Sequence, residues 1–255
     1  MNKRKVIITA VMIAIIGIFL GANYLMDAWV KQQREGSLAV ESGNQAFAAS
    51  SQVQNLIRLT MDSPEESGVC GENLEWYYKD EVLVITGMGK MDEYIYNAGS
   101  APWYGSLRNQ IGCIIIDEGV TSVGGAAFKG CSGMTEVFLP DSVIGIGDAV
   151  FEGCDSLREI TLPDSIIKIG NGVFRSCDNL KEITLQDGIT EIGDEAFEFC
   201  SDLREITIPD SVTCIGARSF ANCSSLTEII IPDGVTSIGR GAFCDSGLKK
   251  NYHSG

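Results

Sequence analysis

"LREITLPDSIIKIGNGVFRSC", residues 157–177, decides the fold because the chain repeats it. Phe128, Phe151, Phe174, Phe197, Phe220 and Phe243 recur every 23 residues, and so do Gly124, Gly147, Gly170, Gly193, Gly216 and Gly239. Cys131, Cys154, Cys177, Cys200 and Cys223 keep the same period, as do Leu157, Leu180, Leu203 and Leu226. Pro140, Pro163, Pro209 and Pro232 fall in register, with Gln186 in the remaining place. A unit this short cannot bury its own apolar face, so consecutive units must stack into one continuous core.

Within a unit, Ile160 and Leu162 alternate with Glu159, Thr161 and Pro163, the period of a half-buried strand. Proline then ends the strand because it lacks the ladder N–H, and Asp-Ser or Asp-Gly supplies the turn. Ile166 and Ile169 point inward on a second short extended piece, Gly170 permits a corner, and "GVFRSC" has room for one helical or 3-10 turn. Seven columns per unit, Leu, Ile, Leu/Ile, Val/Ile, Ile, Phe and Cys, are expected inside. The chain is therefore read as a β-rich cap over residues 69–110 and six coils over 111–248, followed by a tail, 249–255.

The column also fixes the role of Cys200, which sits among acids and could pass for a metal ligand or redox thiol. A metal needs donors converging on one point, whereas the period spreads thiols along an axis. Stacking would set neighbouring cysteines about 4.8 Å apart, within disulfide range, but with parallel Cβ vectors that disfavour the bond. A buried, small apolar strut is expected. Of the other four cysteines, Cys70 and Cys113 bracket the cap and are equally read as paired or free. Cys214 and Cys244 are expected at the surface. Nine is odd, so at least one thiol is free or pairs with another chain.

"MNKRK" precedes Val6 to Met26, an uncharged stretch of 21 residues. At about 1.5 Å per residue it would cross a hydrocarbon core of about 30 Å, and Lys3, Arg4 and Lys5 put the N-terminus in the cytoplasm. An uncleaved membrane anchor is expected over a cleaved signal peptide, since the nearest A-x-A lies far downstream at Ala46 to Ala48. Residues 27–68 read as a stalk, with a short amphipathic helix within Gln45 to Leu59. The repeat domain is then placed outside the cell. The chain carries 19 basic and 34 acidic residues, net −15; without the three N-terminal positives, the rest carries −18. Such a surface is a poor match for nucleic acid. The one histidine, His253, leaves no two-histidine metal site and would force any His-dependent triad onto the tail. No EF-hand spacing appears. No enzyme activity, metal or cofactor is expected.

The motif at 157–177 and its copies resemble the BspA-type, or Treponema-type, leucine-rich repeats of bacterial surface proteins. The preceding stretch 70–128, which contains "LEWYYKDEVLVITG" with hairpin patterning and "APWY", resembles the capping segment found with them. The resemblance runs over about 70–248. It implies a curved right-handed leucine-rich-repeat solenoid and a surface role, in some members adhesion to host matrix or other cells, with no catalytic residues. Ser165 and Gly188 stand where other leucine-rich classes keep asparagine, so an asparagine ladder is not implied.

In a solenoid of this kind the strand face is the natural binding surface. Its outward columns are Phe138, Thr161, Thr184, Thr207 and Ile230; Glu136, Glu159, Glu182, Glu205 and Glu228; and Thr135, Arg158, Lys181, Arg204 and Thr227. The expected partner face is Phe138, Arg158, Glu159, Thr161, Lys181, Glu182, Thr184, Arg204, Glu205, Thr207 and Ile230, suited to an extracellular protein or glycan. The competing reading is a solvated face in which the basic column neutralises the glutamates, on a spacer or assembly module. A cell-wall hydrolase with paired carboxylates is a third possibility, weakened because most acids obey the repeat. The last coil carries Ser246 for the column cysteine and Lys249 for leucine. Fraying or end-to-end self-association is expected there.

Overall fold

The computed structural model describes Gln54, residues 57–94 and residues 101–248. The expected spanning stretch 6–26, most of the stalk and the tail lie outside the described residues. Among the described residues, no helix is long and apolar enough to cross a membrane. The chain divides into two units, Met1–Ser63 and Pro64–Gly255. In the first, residues 57–62 are helical, with Ile57 and Thr60 buried.

The second unit opens with β1 (Glu66–Gly71), β2 (Leu74–Lys79) and β3 (Val82–Gly87), an antiparallel meander. Lys79 pairs with Val82 across a two-residue loop, Asp80 and Glu81, both at positive φ (49° and 66°). Two left-handed residues make the hairpin turn whose twist suits the flanking strands. β4 (Gly89–Lys90) follows. The meander then becomes the solenoid without a break: β3 pairs in parallel with β5 (Cys113–Ile116), and β4 with β6 (Val120–Val123). Residues 82–85 and 113–116 are buried on both faces, as their unbroken apolar runs require.

Each later coil repeats a longer and a shorter strand. These are β7 and β8 (Glu136–Phe138, Gly145–Ile146), β9 and β10 (Glu159–Thr161, Lys168–Ile169), β11 and β12 (Glu182–Thr184, Glu191–Ile192), and β13 and β14 (Glu205–Thr207, Cys214–Ile215). The sixth coil keeps only β15 (Ser237–Ile238); residues 227–231 form no strand. Pairing between coils is parallel, in sheets ordered β1-β2-β3-β5-β7, β9-β11-β13, β4-β6-β8 and β10-β12-β14-β15. The fold is a solenoid of stacked coils whose regular elements are short strands joined by turns.

On the third side of each coil the expected helical or 3-10 turn gives way to consecutive tight turns. The reason lies in two left-handed residues per coil, such as Ala149 and Gly153, or Glu195 and Phe199. They aim alternate N–H groups at the next coil: Ala149 donates to Asn171 O at 2.8 Å, Phe151 to Val173 O at 2.9 Å and Gly153 to Arg175 O at 2.8 Å. An intra-coil helix would consume those donors.

The core is a set of columns. Phe128, Phe151, Phe174, Phe197, Phe220 and Phe243 stack face to face with centroids 5.2–5.8 Å apart. Trp103, from "APWY", continues the stack onto Phe128 at 5.6 Å, and its indole N–H donates to Ala127 O. The glycine column has a different cause from the one expected. Gly147, Gly193, Gly216 and Gly239 are not at positive φ; a Cβ on any of them would come within 2.3–2.7 Å of the preceding coil's backbone. These glycines set the distance between coils rather than turn a corner.

Candidate binding surface

The five column cysteines are fully buried, and all nine cysteines are free thiols. Cys154, Cys177, Cys200 and Cys223 donate to the carbonyls of Phe128, Phe151, Phe174 and Phe197 at 3.0–3.3 Å. Burial pushes Cys131, Cys177 and Cys223 up to about 12, and Cys154 and Cys200 well above the ordinary thiol value. A thiol held protonated and satisfied is neither nucleophile nor ligand. Cys70 and Cys113 do not pair. They sit on β1 and β5, with β2 and β3 between them, so three strand spacings of about 4.8 Å each separate them, beyond disulfide reach. Cys244 is exposed, whereas Cys214 is half-buried between Glu191 and Ser237 on its neighbouring strands. Among the described residues, no three His, Cys, Asp or Glu side chains gather as a metal set.

The strand face is built on β9, β11 and β13, whose parallel register aligns Glu159, Glu182 and Glu205, then Ile160, Ile183 and Ile206, then Thr161, Thr184 and Thr207. The isoleucines point inward and are buried; the glutamates are exposed, as are Thr161 and Thr207, while Thr184 is half-buried. Arg158, Lys181 and Arg204 stand just before these strands, joined by backbone bonds from Lys181 N–H to Arg158 O and from Arg204 N–H to Lys181 O. Nine of the eleven expected face residues thus come together, six on three adjacent strands and three just before them. The other two do not join them. Phe138 is half-buried on β7, in a sheet that does not pair with β9, and Ile230 lies outside any strand at 85% exposure.

Among the described residues, no ion pair links the basic column to the glutamates. Charge pairing occurs elsewhere. Lys168 pairs with Glu191 at 2.8 Å between β10 and β12, and at the position after the first four column phenylalanines Lys129, Glu152, Arg175 and Glu198 alternate in sign down the coils. Lys129 Nζ lies 2.9 Å from Glu152, Arg175 bridges Glu152 and Glu195 at 2.6 Å each, and Arg218 pairs with the buried Glu198. Sequence reading overlooked this network, although the sign alternation is visible at the repeat period. At the edge of the strand face, burial first and the Glu159 charge second push the Glu136 carboxyl up to about 7.

Six copies of the BspA-type leucine-rich repeat region match residues 108–224. Among solved structures, the chain is similar to a leucine-rich repeat protein of T. pallidum, with 26% identity and a TM-score of 0.55, covering 72% of this chain and 88% of that one. It is also similar in fold to a leucine-rich repeat protein from Bacteroides ovatus, with 24% identity and a TM-score of 0.51, covering 70% of this chain and 57% of that one. No curated protein matches. With its 23-residue period, its Phe and Cys columns and its parallel ladders, the repeat region of this chain matches the BspA-type leucine-rich repeats over residues 108–224.

Proposed function

We propose that this is a bacterial cell-surface protein, held in the membrane by residues 6–26 with its N-terminus in the cytoplasm, that binds an extracellular protein or glycan through β9, β11 and β13. Binding, not catalysis, is the role. The observation that carries the reading is the row Arg158, Lys181 and Arg204. These are three cations in adjacent coils, outside any ion pair among the described residues, beside the exposed hydroxyls of Thr161 and Thr207. Aligned donors flanked by a glutamate column suit a partner with alternating acidic and hydroxyl groups. Matrix glycoproteins and cell-wall polysaccharide, immobilised separately, should retain the full chain. The triple change Arg158→Ala, Lys181→Ala, Arg204→Ala should weaken that binding by at least about tenfold, the loss of a few charge-assisted hydrogen bonds. If neither surface retains the protein, or the triple variant binds as well as the wild type, the spacer reading replaces this one.

A second reading, self-association, is favoured by the sixth coil. Residues 227–231 form no strand, so the outer edge of β13 is unpaired, and Ile230 and Ile238 are 85% and 51% exposed. An open edge beside exposed isoleucines invites a second copy. Sedimentation should show association that rises with concentration and is lost in Ile230→Lys; a strict monomer at all concentrations excludes it.

A further inference from the structure

The junctions between coils can be compared donor by donor. Between the third and fourth coils, Lys181 N–H donates to Arg158 O, Thr190 N–H to Ile167 O and Gly193 N–H to Ile169 O, each at 2.9 Å. The first-to-second junction has the same three bonds, from Thr135, Ile144 and Gly147, and the fourth-to-fifth has them from Arg204, Thr213 and Gly216. Between the second and third coils the corresponding donors are Arg158, Ile167 and Gly170, and among the described residues none of them bonds across. Both strand ladders stop there as well: β7 does not pair with β9, nor β8 with β10. Packing loosens in step. Val137, Leu139 and Ile146 are half-buried where Ile160, Leu162 and Ile169 of the next coil are buried. The phenylalanine side stays closed, with its three backbone bonds from Ala149, Phe151 and Gly153 and with the Phe151 and Phe174 rings 5.5 Å apart. Backbone bonds thus close one side and leave two open, which are held only at their corners by bonds from Ser165 Oγ to Val143 O at 2.6 Å and from Asn171 N–H to Asp148 Oδ1 at 2.8 Å. This makes a hinge whose axis lies along the closed side, across the phenylalanine column.

Glu136 sits at this gap. Cys113 of β5 is its ladder partner, Glu159 of β9 faces it across the junction with Arg158 preceding, and Glu136 forms no ion pair among the described residues. We propose that the junction between the second and third coils is a hinge that zips when Glu136 takes up a proton and unzips when Glu136 ionises against Glu159. The sign follows from the direction of the shift. Burial and a like charge raise this carboxyl from its ordinary 4.5 to about 7, so the neutral form favours the buried, closed arrangement. With both ladders unpaired the carboxyl already stands at about 7, and zipping would bury it further beside Glu159, so closure is favoured as pH falls below about 7 and lost as pH rises above it.

Hydrogen exchange of the full chain tests the hinge: each amide's rate is divided into its own intrinsic rate, and the protection of Lys181, Thr190 and Gly193 is then taken as a ratio to that of Arg158, Ile167 and Gly170. At about pH 8 the hinge amides should be at least about tenfold less protected than their counterparts, and the ratio should fall several-fold at about pH 5.5. Glu136→Gln should hold the lower ratio at both pH values. Glu159→Gln, which removes the like charge without touching the half-buried position, should move the transition to lower pH. Equal protection in the two coils at the higher pH overturns the hinge. A wild-type pH dependence in Glu136→Gln, or an unmoved transition in Glu159→Gln, overturns the switch.

Discussion

Phe197 lies 5.4 Å from the Phe174 ring and 5.2 Å from the Phe220 ring, and has no exposed surface. Phe197→Ala opens a cavity inside the column and should cost about 3–5 kcal/mol, read as a lower midpoint in urea unfolding. An unchanged midpoint would mean that the column does not carry the core. Beside the rings, the cysteine column is inert for a reason the same coils supply: all five thiols are desolvated, and Cys154, Cys177, Cys200 and Cys223 donate to the preceding coil's carbonyl. A brief maleimide pulse on the native protein at neutral pH should label Cys244 first, Cys214 more slowly and the column cysteines last. The Asp245 carboxylate accepts from Cys244 Sγ and raises that thiol above its ordinary value, so labelling of Cys244 should accelerate markedly with pH. Labelling of Cys177 at the rate of Cys244 before unfolding would contradict the packing.

At the scale of the coil, the tight-turn side does more than close the loop. Its left-handed residues export N–H groups to the next coil, and the alternating charges outside them tie the same coils together. Arg175 is the centre of that network, held protonated by Glu152 first and then Glu195. Arg175→Ala leaves the largely buried Glu152 with Lys129 as its one cation among the described residues. The expected loss is about 1–2 kcal/mol, between the worth of an exposed pair and that of a buried one, smaller in high salt. Thermal melts at two ionic strengths measure both parts. The glycine column works at this scale too, since coil spacing is fixed by which backbones can approach without a Cβ between them.

Over the whole repeat region, stability is nearly a sum over neighbouring coils, so each end has separate importance. Trp103 closes the phenylalanine stack at one end, between Phe128 and the edge-on rings of Trp76 and Tyr94. Trp103→Ala should cost about 3–5 kcal/mol and should release the first coil before the fourth in hydrogen exchange. Simultaneous release of all coils would show that the stack is not the coupling element. The period alone determined the solenoid, the buried Phe, Cys, Leu and Ile columns and the outward strand residues, because an identical residue every 23 positions must occupy an identical place in a stack. Tertiary structure decided the rest. Only the pairing of β3 with β5 makes the hairpin the first rung of the solenoid, and only the distance between backbones explains the glycine column. The basic column proved free of ion pairs among the described residues, and the ladders break beside Glu136, because those outcomes depend on angles and gaps between coils. A repeat sequence prescribes each coil equally and leaves the fit between coils to packing.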